Sequence, residues 1–341
     1  MRRSLSLLSF ALALALGLTA PAAWAATSLT VYTSLEADQL KAYKEAFEAA
    51  HPEVEIRWVR DSTGVITARL LAEKAAPNAD VVMGVAATSL MLLDQEGLLD
   101  GYAPAGLDKV KPALRDGRPQ PHWIGMDVLS SALCVNRTER EKRGLAVPAR
   151  WSDLTDPAWK GQITMPNPAS SGTGFLMVSA WLQMMGEEKG WAFMDALDRN
   201  IASYTHSGSK PCKQAATGEF AIGLSFEYRA AKLIDQGAPI ELVLPAEGLG
   251  WDMEAVAIVK GTAKLDAAHT LLDWAATPEA NALYARSFAI VARPEVQPQH
   301  NHIPADLETR LTRQDFAWAA ANRDRILTEW SRRYDAKSEA K

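Results

Sequence analysis

Between residues 167 and 174 the chain reads Asn-Pro-Ala-Ser-Ser-Gly-Thr-Gly, and an apolar run from Phe175 to Met185 follows at once. Small hydroxyl residues and glycines that open a helix leave backbone N–H groups unpaired at the positive end of the helix dipole. Such a terminus holds an anion with no metal and no fixed cation. Ser and Thr are also favoured at N-caps for local reasons, so one such segment alone reads more readily as an ordinary cap. Its weight comes from recurrence. Hydroxyl-rich turns at Ser34-Leu35-Glu36, Asp61-Ser62-Thr63-Gly64, Ala87-Thr88-Ser89 and His206-Ser207-Gly208-Ser209 each follow a strand-like run.

A repeating unit sets those turns. Residues 28–33 read as a strand, and 37–50 as a helix whose Leu40, Tyr43, Phe47 and Ala50 keep helical spacing until His51-Pro52 stops it. A strand over 54–59 leads to a helix over 65–75. A strand over 79–83 leads through a turn over 84–89 to a helix over 90–96. Strand, small-residue turn and helix, three times over, is the pattern of a parallel α/β sheet. Ligands of such sheets gather beyond the carboxyl ends of the strands, which brings Ser34, Thr63 and Thr88 to one edge. The theme returns with strands over 162–165, 202–204 and 221–225, the last ending in Phe226-Glu227-Tyr228. Two further runs, 123–135 and the stretch from Gly250-Trp251-Asp252-Met253-Glu254 through 259, read as crossings between lobes.

The expected fold is therefore α/β with two lobes, each a mostly parallel sheet flanked by helices, joined by two crossing strands. Lobe 1 takes 27–128 and 250–290, lobe 2 takes 129–249, and 291–341 is a C-terminal helical segment packing on both. Residues 1–26 read as a cleaved secretory signal: Arg2 and Arg3, an apolar run from Leu5 to Leu18, then Ala23-Trp24-Ala25. That run is shorter than the roughly 20 residues a membrane span needs. About 315 residues remain, enough for two cores. A net charge of −5 with interspersed signs points to neither nucleic acid nor a membrane surface as partner. Cys134 and Cys212 either pair in an oxidising compartment or stay buried thiols, and spacing leaves both open. The six histidines have no metal-ligand spacing.

A signal peptide, two α/β lobes and two crossings resemble a periplasmic solute-binding protein of an ABC importer. The opening VYTS and the mid-chain WSDLTDPAWKGQI resemble the ferric-binding-protein-like branch. The segments VYTSLEADQLKAYKEAFE, WVRDSTG, MPNPASSGTGF, YTHSGSKPCK, GLSFEYRAA, GLGWDME and DFAWAAANRDRIL are similar to 2-aminoethylphosphonate-binding members of it. The resemblance implies a periplasmic monomer without cofactor or enzyme activity, which hands its ligand to a membrane permease and ATPase.

That ligand carries a tetrahedral anion at one end and an ammonium at the other. Ser34, Thr63, Thr88, Ser171, Thr173 and Ser207, with the Gly172 backbone, suit the anion. Glu36, Glu227, Tyr228, Asp252 and Glu254 suit the ammonium. Asp61 and Lys210 read as turn or surface residues. Two alternatives remain at this point. A secreted hydrolase would have nucleophilic serines, but no GxSxG elbow is present. A ferric or other anion binder on the same fold is the second. Iron-binding members of the branch place two adjacent tyrosines after the equivalent lobe-2 strand, whereas Ser225-Phe226-Glu227-Tyr228 has one.

Overall fold

A computed structural model describes residues 26–340. All but the last residue of the expected export signal lies outside the described residues. Lobe 1 opens with β1 (Thr27–Thr33), α1 (Ala37–Ala50), β2 (Val54–Arg60), α2 (Thr63–Ala72), β3 (Val81–Ala86), α3 (Ala87–Gln95) and β4 (Leu99–Asp100). The long β5 (Ile124–Asn136), buried at every residue, then carries the chain into lobe 2. Lobe 2 contains α4 (Arg137–Lys142), β6 (Ile163–Pro166), α5 (Gly172–Met185), α6 (Glu187–Asp198), β7 (Ile201–Thr205), α7 (Lys210–Thr217), β8 (Ile222–Phe226), α8 (Glu227–Asp235) and β9 (Ile240–Val243). The chain returns through β10 (Trp251–Val259), α9 (Leu265–Ala275), α10 (Pro278–Tyr284), β11 (Ile290–Val291) and α11 (Leu307–Arg310). It ends in α12 (Phe316–Ala321) and α13 (Arg323–Tyr334).

Strand order runs β2-β1-β3-β10-β5-β8-β6-β7, with β4 on β10 and both β9 and β11 on β5. The outer strands of each lobe pair in parallel, while β10 and β5 are antiparallel to their neighbours. β5 serves both lobes: its first half pairs with β10 and its second half with β8 and β9. Two apolar cores result. One is built on β1, β3, β10 and α9, the other on α5, α6 and the tryptophans Trp151, Trp159, Trp181 and Trp191. The chain also passes between the lobes a third time. Leu249 exchanges backbone bonds with Arg310 and Thr312 at 2.9 and 3.0 Å, and α12 and α13 then bury Ala319, Ile326, Trp330 and Tyr334 in the lobe 2 core.

Cys134 at the end of β5 and Cys212 in α7 form a disulfide, Cα to Cα 5.2 Å, closing a span of 78 residues. In the chain-entropy picture a loop of that size stabilises the fold by about 4 kcal/mol. Among the described residues no helix is long and apolar enough to cross a membrane.

Candidate functional site

The carboxyl ends of the strands meet at a cleft between the lobes, and the lobes are in contact across its mouth. The Gly64 N–H of lobe 1 donates to the Ser170 carbonyl of lobe 2 at 2.8 Å. Arg229 donates to Glu36 at 2.7 Å, His206 lies 3.0 Å from Asp61, and Lys232 pairs with Asp38. Acids of lobe 1 thus face bases of lobe 2. A cavity of about 50 Å³ is left inside, room for roughly three to five water molecules.

One half of that cavity suits an anion. The N-termini of α2 and α5 enter it from opposite lobes, presenting Ser62, Thr63, Ser171, Gly172 and Thr173. Ser171 caps α5 by accepting the Gly174 N–H at 3.3 Å, and Phe175 N–H returns to the Ser171 carbonyl. The first two amides of that helix, Gly172 and Thr173, face the cavity without a turn behind them to accept. Thr63 donates to Ser34 at 2.9 Å, and Ser34 donates onward to the Gly84 carbonyl at 2.6 Å. Gly84 has φ +71° and is the extra residue where β3 passes β10, since Val85 opposes Ala255 and Met83 opposes Val256. This glycine bulge turns its carbonyl toward Ser34. Arg60, at the end of β2, is the cation among the lining residues and anchors its Nε on the Leu35 carbonyl at 2.6 Å.

The other half carries carboxylates. Asp252 and Glu254 project from β10, and Glu36 from the start of α1. Asp252 accepts from the Thr88 hydroxyl at 2.6 Å and the Met253 N–H at 2.7 Å. Burial nevertheless pushes its pKa up to about 6. Burial, with Glu36 and Glu227 nearby, holds Glu254 well above the usual range, and its Oε2 meets no donor of the described protein. Phe226, Leu129, Leu176 and Phe288 supply apolar wall.

Nine of the twelve expected residues line this cavity: Ser34, Glu36, Thr63, Ser171, Gly172, Thr173, Ser207, Asp252 and Glu254. Three do not, and each placement corrects the sequence reading. Thr88 lies in the first turn of α3, because β3 runs on to Ala86 and the helix starts without an intervening turn. Its hydroxyl is committed to Asp252. Glu227 and Tyr228 begin α8 directly after β8. Glu227 is buried and its Oε2 accepts from the Ser130 N–H and hydroxyl at 2.7 and 3.0 Å, where β5 changes lobe. Tyr228 packs on Phe288 and Lys232, facing a separate depression between α1, α8 and α10. Arg60 was missed, although the segment WVRDSTG contains it; a basic residue one step before a hydroxyl turn was the available signal.

The chain matches the model of the bacterial extracellular solute-binding proteins over residues 42–308. Its relatives bind different things. The periplasmic binding protein AfuA from Actinobacillus pleuropneumoniae, solved with fructose-6-phosphate, is 28% identical over 91% of this chain and 99% of its own, with a TM-score of 0.83. An Fe(3+)-binding periplasmic protein from Serratia marcescens is 27% identical over 65% of this chain and 63% of its own. A provisionally named 2-aminoethylphosphonate-binding periplasmic protein from Salmonella paratyphi A is 23% identical over 83% of this chain and 84% of its own. The two-lobed α/β architecture is that of the solved relative. The chain belongs to the bacterial extracellular solute-binding proteins, periplasmic components that deliver small ligands to ABC transporter permeases.

Proposed function

We propose that the cleft binds 2-aminoethylphosphonate and delivers it to an ABC importer. The observation that carries this reading is the polarity of a single small cavity: two helix N-termini and Arg60 on one side, Asp252, Glu254 and Glu36 on the other. A phosphonate suits the first side through charge-assisted bonds from hydroxyls, amides and a guanidinium. An ammonium suits the second. A hexose phosphate brings no ammonium to the second side. A dianion would also meet three carboxylates. Ferric iron favours several anionic oxygens around one point. Here Glu36 is engaged by Arg229 and Asp252 by Thr88, and neither tyrosine nor histidine lines the cavity among the described residues.

Calorimetry with 2-aminoethylphosphonate, ethylphosphonate, phosphate, fructose 6-phosphate and ferric citrate tests the proposal. Without the amine, the Glu254 carboxyl stays unpaired, so ethylphosphonate should bind on the order of 100-fold more weakly than its amino derivative. Equal affinity for the two phosphonates, or tighter binding of fructose 6-phosphate or iron, rejects the reading.

A further inference from the structure

The sheet under the cleft contains an acid that the sequence reading passed over. Asp127 on β5 stands directly opposite Glu254 on β10. Residues opposed in an antiparallel pair share one face, with Cβ atoms roughly 5 Å apart, and like charges there are destabilising. The neighbouring opposed pair on that face, Leu129 and Asp252, lines the cavity as Glu254 does. Asp127 therefore faces the same way, one step deeper. It has no exposed surface, and neither of its carboxylate oxygens has a hydrogen-bond partner among the described residues.

Among the described residues no cation pairs with either carboxyl, and Arg60, which lines the same cavity, is anchored on the Leu35 carbonyl. Glu227 approaches from α8, Tyr43 from α1 and Tyr284 from α10, while Glu36 flanks Glu254 and is itself held by Arg229. Both phenols are held above their ordinary range by burial and by the Asp127 and Glu254 carboxyls. Register shifts follow the pair along β10, one on each neighbouring strand. Met126 is extra where Glu254 opposes Asp127 and Ala255 opposes Gly125, and Gly84 is extra on β3. Bulges re-aim side chains and cluster at binding sites. Here they adjoin two carboxyls left short of donors among the described residues.

We propose that Asp127 and Glu254 form a proton-sharing pair that is the ammonium subsite of the cleft, with Asp127 a specificity-determining residue. In the free protein one proton is held between the two carboxyls. A ligand amine enters already protonated, its N–H groups take the place of that proton, and the displaced proton passes to the buffer. Burial, with each other's charge and that of Glu227 close by, accounts for retention of the proton near neutrality. This inference rests on the zwitterion reading of the cleft, and one of its two tests needs no ligand.

The first test compares infrared spectra of the ligand-free wild type and Asp127→Asn at pH 7. The difference spectrum should show one protonated-carboxyl band lost in the variant, above the contribution that Glu227 makes to both proteins; identical spectra overturn the shared proton. The second measures 2-aminoethylphosphonate binding by calorimetry in two buffers of differing ionisation enthalpy. Wild type should release about one proton per ligand, and Asp127→Asn should bind at least tenfold more weakly with none released. Glu254→Gln should behave alike. Binding to wild type without proton release, or unchanged affinity in Asp127→Asn, overturns the subsite and leaves the transport reading intact. No binding of the aminophosphonate to wild type overturns the ligand and the ammonium role together, whatever the infrared band does.

Discussion

The two halves of the cleft are built on opposite physical terms. The anion-favouring half is made of neutral donors already arranged by local structure: helix ends, caps and hydroxyls that bond one another, as Thr63 does to Ser34. It costs little to maintain without a ligand, because the Thr63, Ser34 and Ser171 hydroxyls have protein partners and the donors left over are neutral. The carboxylate half is made of charges removed from water with too few donors. Asp127 has none, Glu254 has an oxygen without any, and Glu227, which backs this half from outside the cavity lining, has another, among the described residues. The first half confers affinity for a class of anion. The second confers selection, because only a cation relieves it.

The sharpest way to separate the halves is stability against pH without ligand. Burial holds Glu227 at about 7, above its ordinary value, so the unfolded chain gives up that proton first as pH rises. Folded stability should then be greatest below about pH 4.5 for this group and fall between there and pH 7, by on the order of 3 kcal/mol. Glu227→Gln should flatten that slope in urea melts at successive pH values. An unchanged slope would mean that the carboxylate half costs the fold nothing, and the contrast would dissolve. In the anion half, Thr173→Val keeps shape and removes one donor. A lost bond to a charged group should lower phosphonate affinity tenfold or more, about 1.5–3 kcal/mol, with little change in melting. Wild-type affinity by calorimetry would reduce the α5 turn to a plain cap. Smallest should be the effect of Gly64→Ala. An added Cβ would overlap the Ala169 carbonyl oxygen of the facing lobe, a backbone contact made only when the lobes meet. Its backbone is not in the left-handed region, so folding should be spared. Affinity should fall a few-fold, and scattering should show less compaction with ligand than in wild type.

The same contrast explains what the sequence disclosed. Repeated strand–turn–helix units foretold the parallel outer strands, and α1 took the predicted bounds, because apolar spacing and stop residues act locally. Hydroxyl turns are local too, so most of the anion half was named in advance. Asp127 was not. It lies inside an apolar run, and only its strand partner, more than a hundred residues away, makes it an exception worth noticing. Thr88, Glu227 and Tyr228 were misplaced for a related reason: β3 and β8 pass straight into helices, and no turn residue marks that boundary. Whether Cys134 meets Cys212 likewise depended on how β5 and α7 pack, which spacing does not encode.

The last residues of the chain lie along the rim of lobe 2. Glu339 donates its N–H to the Tyr204 carbonyl, accepts the His206 N–H and pairs with Lys210, while Ser338 bridges to the exposed side of β7. Edge strands left bare invite pairing with other chains, and this tail occupies one. His206 in turn touches Asp61 of the other lobe. The C-terminus is thus within a residue or two of the place where the lobes meet. An environment-sensitive dye attached at Ala340 would sit beside the closing seam, turning the protein into an optical sensor for its own ligand. A bulky affinity tag fused at the same point would crowd that seam.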